Sequence, residues 1–113
     1  MKHTTIKESK KLLSLGLDPG TADMHYREWK RMTDSIRIAH EGSGGKDDLP
    51  CWSSDALFQL IPSDNENEII TRHWGDMYEL RFRDCVTAWH VSFFDAVYEL
   101  VDKLLYKGYI KTK

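Results

Sequence analysis

SFFDAVYELVDKLLYKGYI, residues 92–110, carries the clearest helical pattern in the chain. Val97, Leu100, Val101, Leu104 and Leu105 recur at i, i+3, i+4, i+7 and i+8, which sets all five on one stripe of a helix. Glu99, Asp102, Lys103 and Lys107 fall mainly off that stripe. Ser92 followed by Asp95 resembles a capping box with Asp in place of Glu, and Gly108 offers the left-handed conformation that ends many helices. The spacing predicts a helix over 93–107 with one apolar face, and another layer of structure must cover that face.

The cover comes from just upstream. Tyr78-Glu79-Leu80-Arg81-Phe82-Arg83 alternates apolar and charged residues, the pattern of a strand with one buried and one wet face. Residues 68–74 are rich in β-branched and aromatic types, and Gly75-Asp76 between the two runs suits a two-residue hairpin turn of the II′ kind. Residues 86–91 read as a third strand, with Asp84-Cys85 as the turn before it. A three-stranded antiparallel meander over about 68–91 then leads directly into the helix.

Two shorter helices complete the layer. Thr5 and Glu8 can form a capping box at the start of a helix near 5–15, which Gly16 ends. Ser53 or Ser54 can cap a second over 53–61, with Ala56, Leu57, Leu60 and Ile61 inward and Pro62 as its stop. Between them, Leu17-Asp18-Pro19-Gly20 is turn chemistry, and Thr21 is placed to cap a short helix beginning at 21–24. Residues 26–40 fit either period: Trp29, Met32 and Ile36 have helical spacing, while 35–39 alternates as a brief strand. Gly42-Ser43-Gly44-Gly45 has linker composition, and Leu49 before Pro50 is pushed into an extended conformation. The expected fold class is α+β: one domain, 1–113, with a small antiparallel β-meander packed against a long C-terminal helix and two further short helices.

The 113 residues suffice for a single core without a metal or disulfide framework. Hydrophobic residues make up 41% and charged residues 30%, which excludes a disordered chain. Sixteen Lys and Arg against eighteen Asp and Glu give a net charge of -2, so no overall basic field draws in nucleic acid or anionic lipid. No apolar run approaches the roughly 20 residues that span a bilayer. Met1-Lys2-His3 leads into a polar helix and not a signal segment, so the expected location is cytoplasmic, with no membrane partner. Cys51 and Cys85 stand alone and read as reduced thiols.

Three passages together resemble a known group: residues 11–24 (KLLSLGLDPGTADM), 49–53 (LPCWS) and 104–110 (LLYKGYI). They are similar to short uncharacterised proteins carried by phages and other mobile elements of gut bacteria. The resemblance implies a mobile-element setting and a one-domain α+β fold. It brings no assigned activity with it.

Chemistry-bearing constellations are sparse. The chain has no phosphate-binding Gly-Lys-Ser/Thr loop, no dinucleotide glycine pattern, no Gly-x-Ser-x-Gly and no His-Glu-x-x-His. Structural zinc sites take ligands in close pairs, and only Cys85 with His90 is placed to meet across a strand turn, so no metal and no cofactor are expected. Cys51 precedes a helix start, where the dipole favours a thiolate, yet it lies in an apolar segment typical of a packing cysteine. Arg27, Lys30, Arg31 and Arg37 cluster around Trp29, a pattern that pairs phosphate contacts with base stacking. Arg81 and Arg83 share a strand face on which Glu79 dilutes their charge.

The four tryptophans, Trp29, Trp52, Trp74 and Trp89, are many for this length, with two or three expected in the core and the rest on a partner surface. The expected function is therefore a non-catalytic protein-interaction module of a phage or mobile element, binding a protein partner or itself. Its candidate surface is Arg27, Trp29, Lys30, Arg31 and Trp52. A small nucleic-acid-binding protein is the alternative, and an unrecognised small enzyme the third reading.

Overall fold

The computed structural model describes residues 2–27, 38–42 and 44–112. In chain order these form α1 (Ile6–Ser14), a 3-10 turn (Pro19–Thr21), β1 (Met24–Tyr26), β2 (Ala39–Glu41), β3 (Leu49–Cys51), α2 (Ser54–Gln59), β4 (Ile70–Trp74), β5 (Met77–Phe82), β6 (Cys85–Val86) and α3 (Phe93–Lys107). The expected α+β class holds: the strands form antiparallel sheets, and the second of these lies against the C-terminal helix.

α3 starts where its cap predicts. The Ser92 hydroxyl accepts from the Asp95 N–H at 3.4 Å, and Gly108 closes the helix at φ 80. All five stripe residues are buried, with Phe94 and Ala96 alongside. Burying such a side chain contributes about 1.5–3 kcal/mol, so the stripe alone supplies roughly 10 kcal/mol of gross stabilisation. That is as large as the whole net stability of a typical domain, which makes this face indispensable. Leu12 and Leu17, Trp52, Leu57 and Ile61, and Leu80 and Phe82 complete the same core.

The sheet under α3 has the order β4-β5-β6. Gly75 takes φ 63 while Asp76 keeps a negative φ, as a II′ turn requires. The third strand departs from expectation. It spans only Cys85–Val86, and the turn before it is Arg83-Asp84, with Arg83 at φ 53. Cys85 pairs with Phe82 and is buried, so it belongs to the ladder and not to the turn. Pairing then breaks because the Thr87 hydroxyl, in place of a carbonyl, accepts the Leu80 N–H at 3.0 Å. It resumes as a bridge between Tyr78 and His90.

A second sheet, of order β2-β1-β3, was not foreseen. Met24 pairs with both Glu41 and Cys51, and Tyr26 with both Ala39 and Leu49. Met24, Tyr26, Leu49 and Cys51 form a smaller core beneath Ile6 and Leu13 of α1. Pro50 is tolerated because β3 is an edge strand in this sheet. Thr21 caps no helix. Asp18 does the capping, accepting the Gly20 N–H at 2.9 Å, and the chain enters β1 within a few residues. Most of the ambiguous 26–40 segment lies outside the described residues, though its end, from Ala39, is strand.

Thr4 ties the segment before α1 to β1 and to Trp52. Its N–H donates to the Trp52 carbonyl at 2.9 Å, and its hydroxyl accepts the Trp52 N–H at 3.0 Å. The Thr4 carbonyl accepts the Tyr26 hydroxyl at 2.9 Å. α1 begins immediately after, on the capping box of Thr5 and Glu8. α2 begins on Ser53, whose hydroxyl accepts the Ala56 N–H and donates to the Asp23 carboxylate.

Candidate interaction surface on the second sheet

The antiparallel register matches Ile70 with Arg81, Arg72 with Glu79 and Trp74 with Met77. Because strand side chains alternate, these six share the face turned away from α3, while Leu80 and Phe82 fill the core. Glu79 is the unusual member. It sits on the outer face yet is only 6% exposed, because two arginines lie over it. Arg81 Nε donates to Glu79 Oε1 at 2.8 Å and Arg72 Nη1 to the same oxygen at 3.4 Å. The Arg81 hydrogen bond, with the charges of Arg81 and Arg72, holds the Glu79 carboxyl below the usual glutamate range despite its partial desolvation.

Arg72 extends the chain of contacts to the aromatics. Its guanidinium lies 5.6 Å from the centre of the Trp89 ring, and Trp89 meets Trp74 edge to face at 6.2 Å. Trp74 is 75% exposed. A continuous row therefore crosses the outer face: Trp74, Trp89, Arg72, Glu79, Arg81. Exposed Ile70 stands on the same face, and so does Val86, which pairs with Arg81. Single exposed apolar residues need no explanation, but two contacting tryptophans braced by an arginine over a buried carboxylate form an ordered patch of the kind found at interface hot spots.

β4 adds a second property. All five of its residues are exposed, including Thr71 and His73 on the side facing α3, so the helix covers β5 and β6 and leaves β4 overhanging. β4 is also an edge strand, and no described residue pairs with its outer edge.

The sequence-derived candidates distribute differently. Trp52 is a correction: it is 0% exposed, packed in the main core, with its ring N–H donating to Thr21 Oγ1 at 3.0 Å. The apolar α2 and α3 stripes close over it because it immediately precedes the Ser53 cap. Arg27 is exposed just beyond β1, while Trp29, Lys30 and Arg31 lie outside the described residues. Trp74 and Trp89, not singled out as a pair, were readable in part: Ile70, Arg72 and Trp74 alternate on one face of a strand whose charged member marks that face as wet.

Other chemistry is not assembled. Burial pushes the Cys51 thiol up to about 12, with the Asp23 charge adding to the effect, the reverse of what a nucleophile needs. His90 does not meet Cys85; its Nε2 bonds Glu99 Oε1 at 2.6 Å. Among the described residues no group of three His, Cys, Asp or Glu is placed to hold a metal ion. A groove of about 470 Å³ between α1, α3 and β6 is lined by Lys11, Lys103 and Lys107, among others. Each of these ammonium groups already has a partner: Asp102 at 2.9 Å, the Val86 carbonyl at 2.8 Å and Asp84 at 3.0 Å. No helix of the described residues is long and apolar enough to cross a membrane.

Compared with known proteins, the chain matches no family model, no curated protein and no solved structure.

Proposed function

We propose that this chain is a non-catalytic protein-interaction module of a phage or other mobile element, working in the cytoplasm, and that it engages its partner through the outer face of the second sheet. One observation carries the reading: the exposed Trp74, set edge to face on the half-buried Trp89, which Arg72 braces over the covered Glu79. Rigid aromatic side chains supply contact area at small entropic cost, and the carboxylate beneath fixes the arginine that supports them.

A nucleic-acid platform would use similar residue types, with bases stacked on tryptophan and phosphates on arginine. Against it stands Glu79, which already takes a hydrogen bond from both Arg72 and Arg81 and which a phosphate would have to displace or tolerate. The net charge of -2 also provides no long-range attraction for a polyanion.

The test is capture from bacterial lysate on the immobilised chain, with and without nuclease, beside the Trp74→Ala variant. Protein partners should be retained after nuclease treatment, persist as salt rises from about 0.1 to about 0.5 M, and be lost with Trp74→Ala. Capture that is only nuclease-sensitive, or that ignores Trp74→Ala, overturns the proposal.

A further inference from the structure

We propose that the outer edge of β4 accepts an extended segment of the partner protein as an added strand, with an acidic residue opposite Arg72 and apolar residues opposite Ile70 and Trp74. This rests on the interaction reading above and names its mode. Among the described residues β4 is a five-residue edge strand paired on one side only, in unbroken register from Ile70 to Trp74. Alternate N–H and C=O groups of such a strand point away from its neighbour, and strand addition satisfies them. Proline and bulges, two devices that blunt edges elsewhere, are both missing from it.

The side chains then select the occupant. Ile70, Arg72 and Trp74 form an apolar, cationic, apolar row, and the neighbouring strand adds Arg81 and Glu79. Two guanidiniums share one carboxylate, so the row retains positive charge that an incoming Asp or Glu would complement. A second copy fits poorly. Antiparallel pairing of the whole strand with itself matches Ile70 with Trp74 but puts Arg72 directly opposite Arg72, where like charges repel. Arg72 therefore discourages self-pairing of an open edge while admitting an acidic partner strand.

The probes are two blocked peptides with Val-Thr-Glu-Thr-Val and Val-Thr-Lys-Thr-Val cores, titrated against the full chain by tryptophan fluorescence and calorimetry. The Glu peptide should bind about tenfold more tightly than the Lys peptide, Arg72→Glu should invert the order, and N-methylation of alternate peptide amides should abolish binding. Arg72 is half exposed on the surface, and a thermal melt of the variant shows whether it remains folded. Equal binding of both peptides, or none at about 1 mM, overturns strand addition. If lysate capture still depends on Trp74 in that case, the interaction module stands and only its mode falls. If oligothymidine binds more tightly than either peptide and loses affinity with Arg72→Glu, both proposals fall.

Discussion

Trp52→Ala should remove about 4 kcal/mol of folding stability, in the middle of the range of about 3–5 kcal/mol for deleting a large buried aromatic. Trp52 heads the fully buried side chains, at 0% exposure, and is enclosed with Leu12, Leu57 and the α3 stripe. The lost ring N–H bond to Thr21 adds little, because Thr21 is exposed and its hydroxyl returns to water. A chain of this length has a net stability of about 6–17 kcal/mol, so the variant should still fold. An unfolding entropy of about 2.1 cal/mol/K per residue turns the loss into a Tm drop of about 15–20 °C. Trp74→Ala, at a site 75% exposed, should stay within about 0.5 kcal/mol of the parent. Urea unfolding followed by far-UV circular dichroism measures both, with the m-value checking that the denatured state is unchanged. Equal stabilities for Trp52→Ala and Trp74→Ala would refute the assignment of one tryptophan to the core and the other to the surface.

Three further outcomes are expected. Burial raises the Glu99 pKa, but the bonds from His90, the Ala88 N–H and Lys103 outweigh it and hold the carboxyl below its ordinary 4.5. Its contribution is therefore present above that pH and lost as pH falls through the lower folded value, so Glu99→Gln should flatten the acid limb of a stability-against-pH curve; an unchanged limb contradicts the assignment. Cys51, with its thiol pushed up to about 12, should resist iodoacetamide at pH 8 until urea unfolds the chain, and rapid labelling in the native state would show the thiol to be accessible. Gly44→Ala would bring its Cβ to 2.8 Å from the Asp48 Cβ and 2.9 Å from the His25 Cβ, and should destabilise the first sheet by about 1–3 kcal/mol; hydrogen exchange at β1 amides that matched the parent would contradict this.

α3 and the β4–β5 hairpin were legible because each is long enough to show its period and carries its own start and stop chemistry. Ser92, Gly108 and Gly75 occupy the positions their local chemistry dictates. The first sheet was not legible for the same reason reversed: β1, β2 and β3 have three residues each, too few for alternation to register, and they form through pairing between segments far apart in sequence. Trp52 was misplaced because a single tryptophan just before a helix cap belongs to no periodic run that would say which way it faces, whereas the Thr4 N–H and hydroxyl pair with its backbone and fix it against the core. The pairing of Glu79 with Arg81 was half visible in the dilution of charge along one strand face. The cross-strand Arg72 that completes it depended on the register.

That register explains how one carboxylate serves two ends. Without Glu79, Arg72 and Arg81 would repel each other across the hairpin, and Arg72 would have no anchor from which to brace Trp89. With it, the two arginines cover the carboxylate, the tryptophans stand in fixed orientation, and the surface remains slightly cationic beside an open strand edge. A surface of scattered tryptophans would adhere to many partners. Here the aromatic area comes with a charge at a fixed strand position, so an acidic residue in the wrong register, or a basic one in the right register, is penalised. Glu79→Gln separates anchoring from simple exposure: it preserves the size of the side chain and its ability to accept, but loosens both arginines, so capture should weaken although Trp74 and Trp89 are untouched. Capture equal to the parent's, with an intact fold by circular dichroism, would mean that the tryptophans act without the ion pairs beneath them.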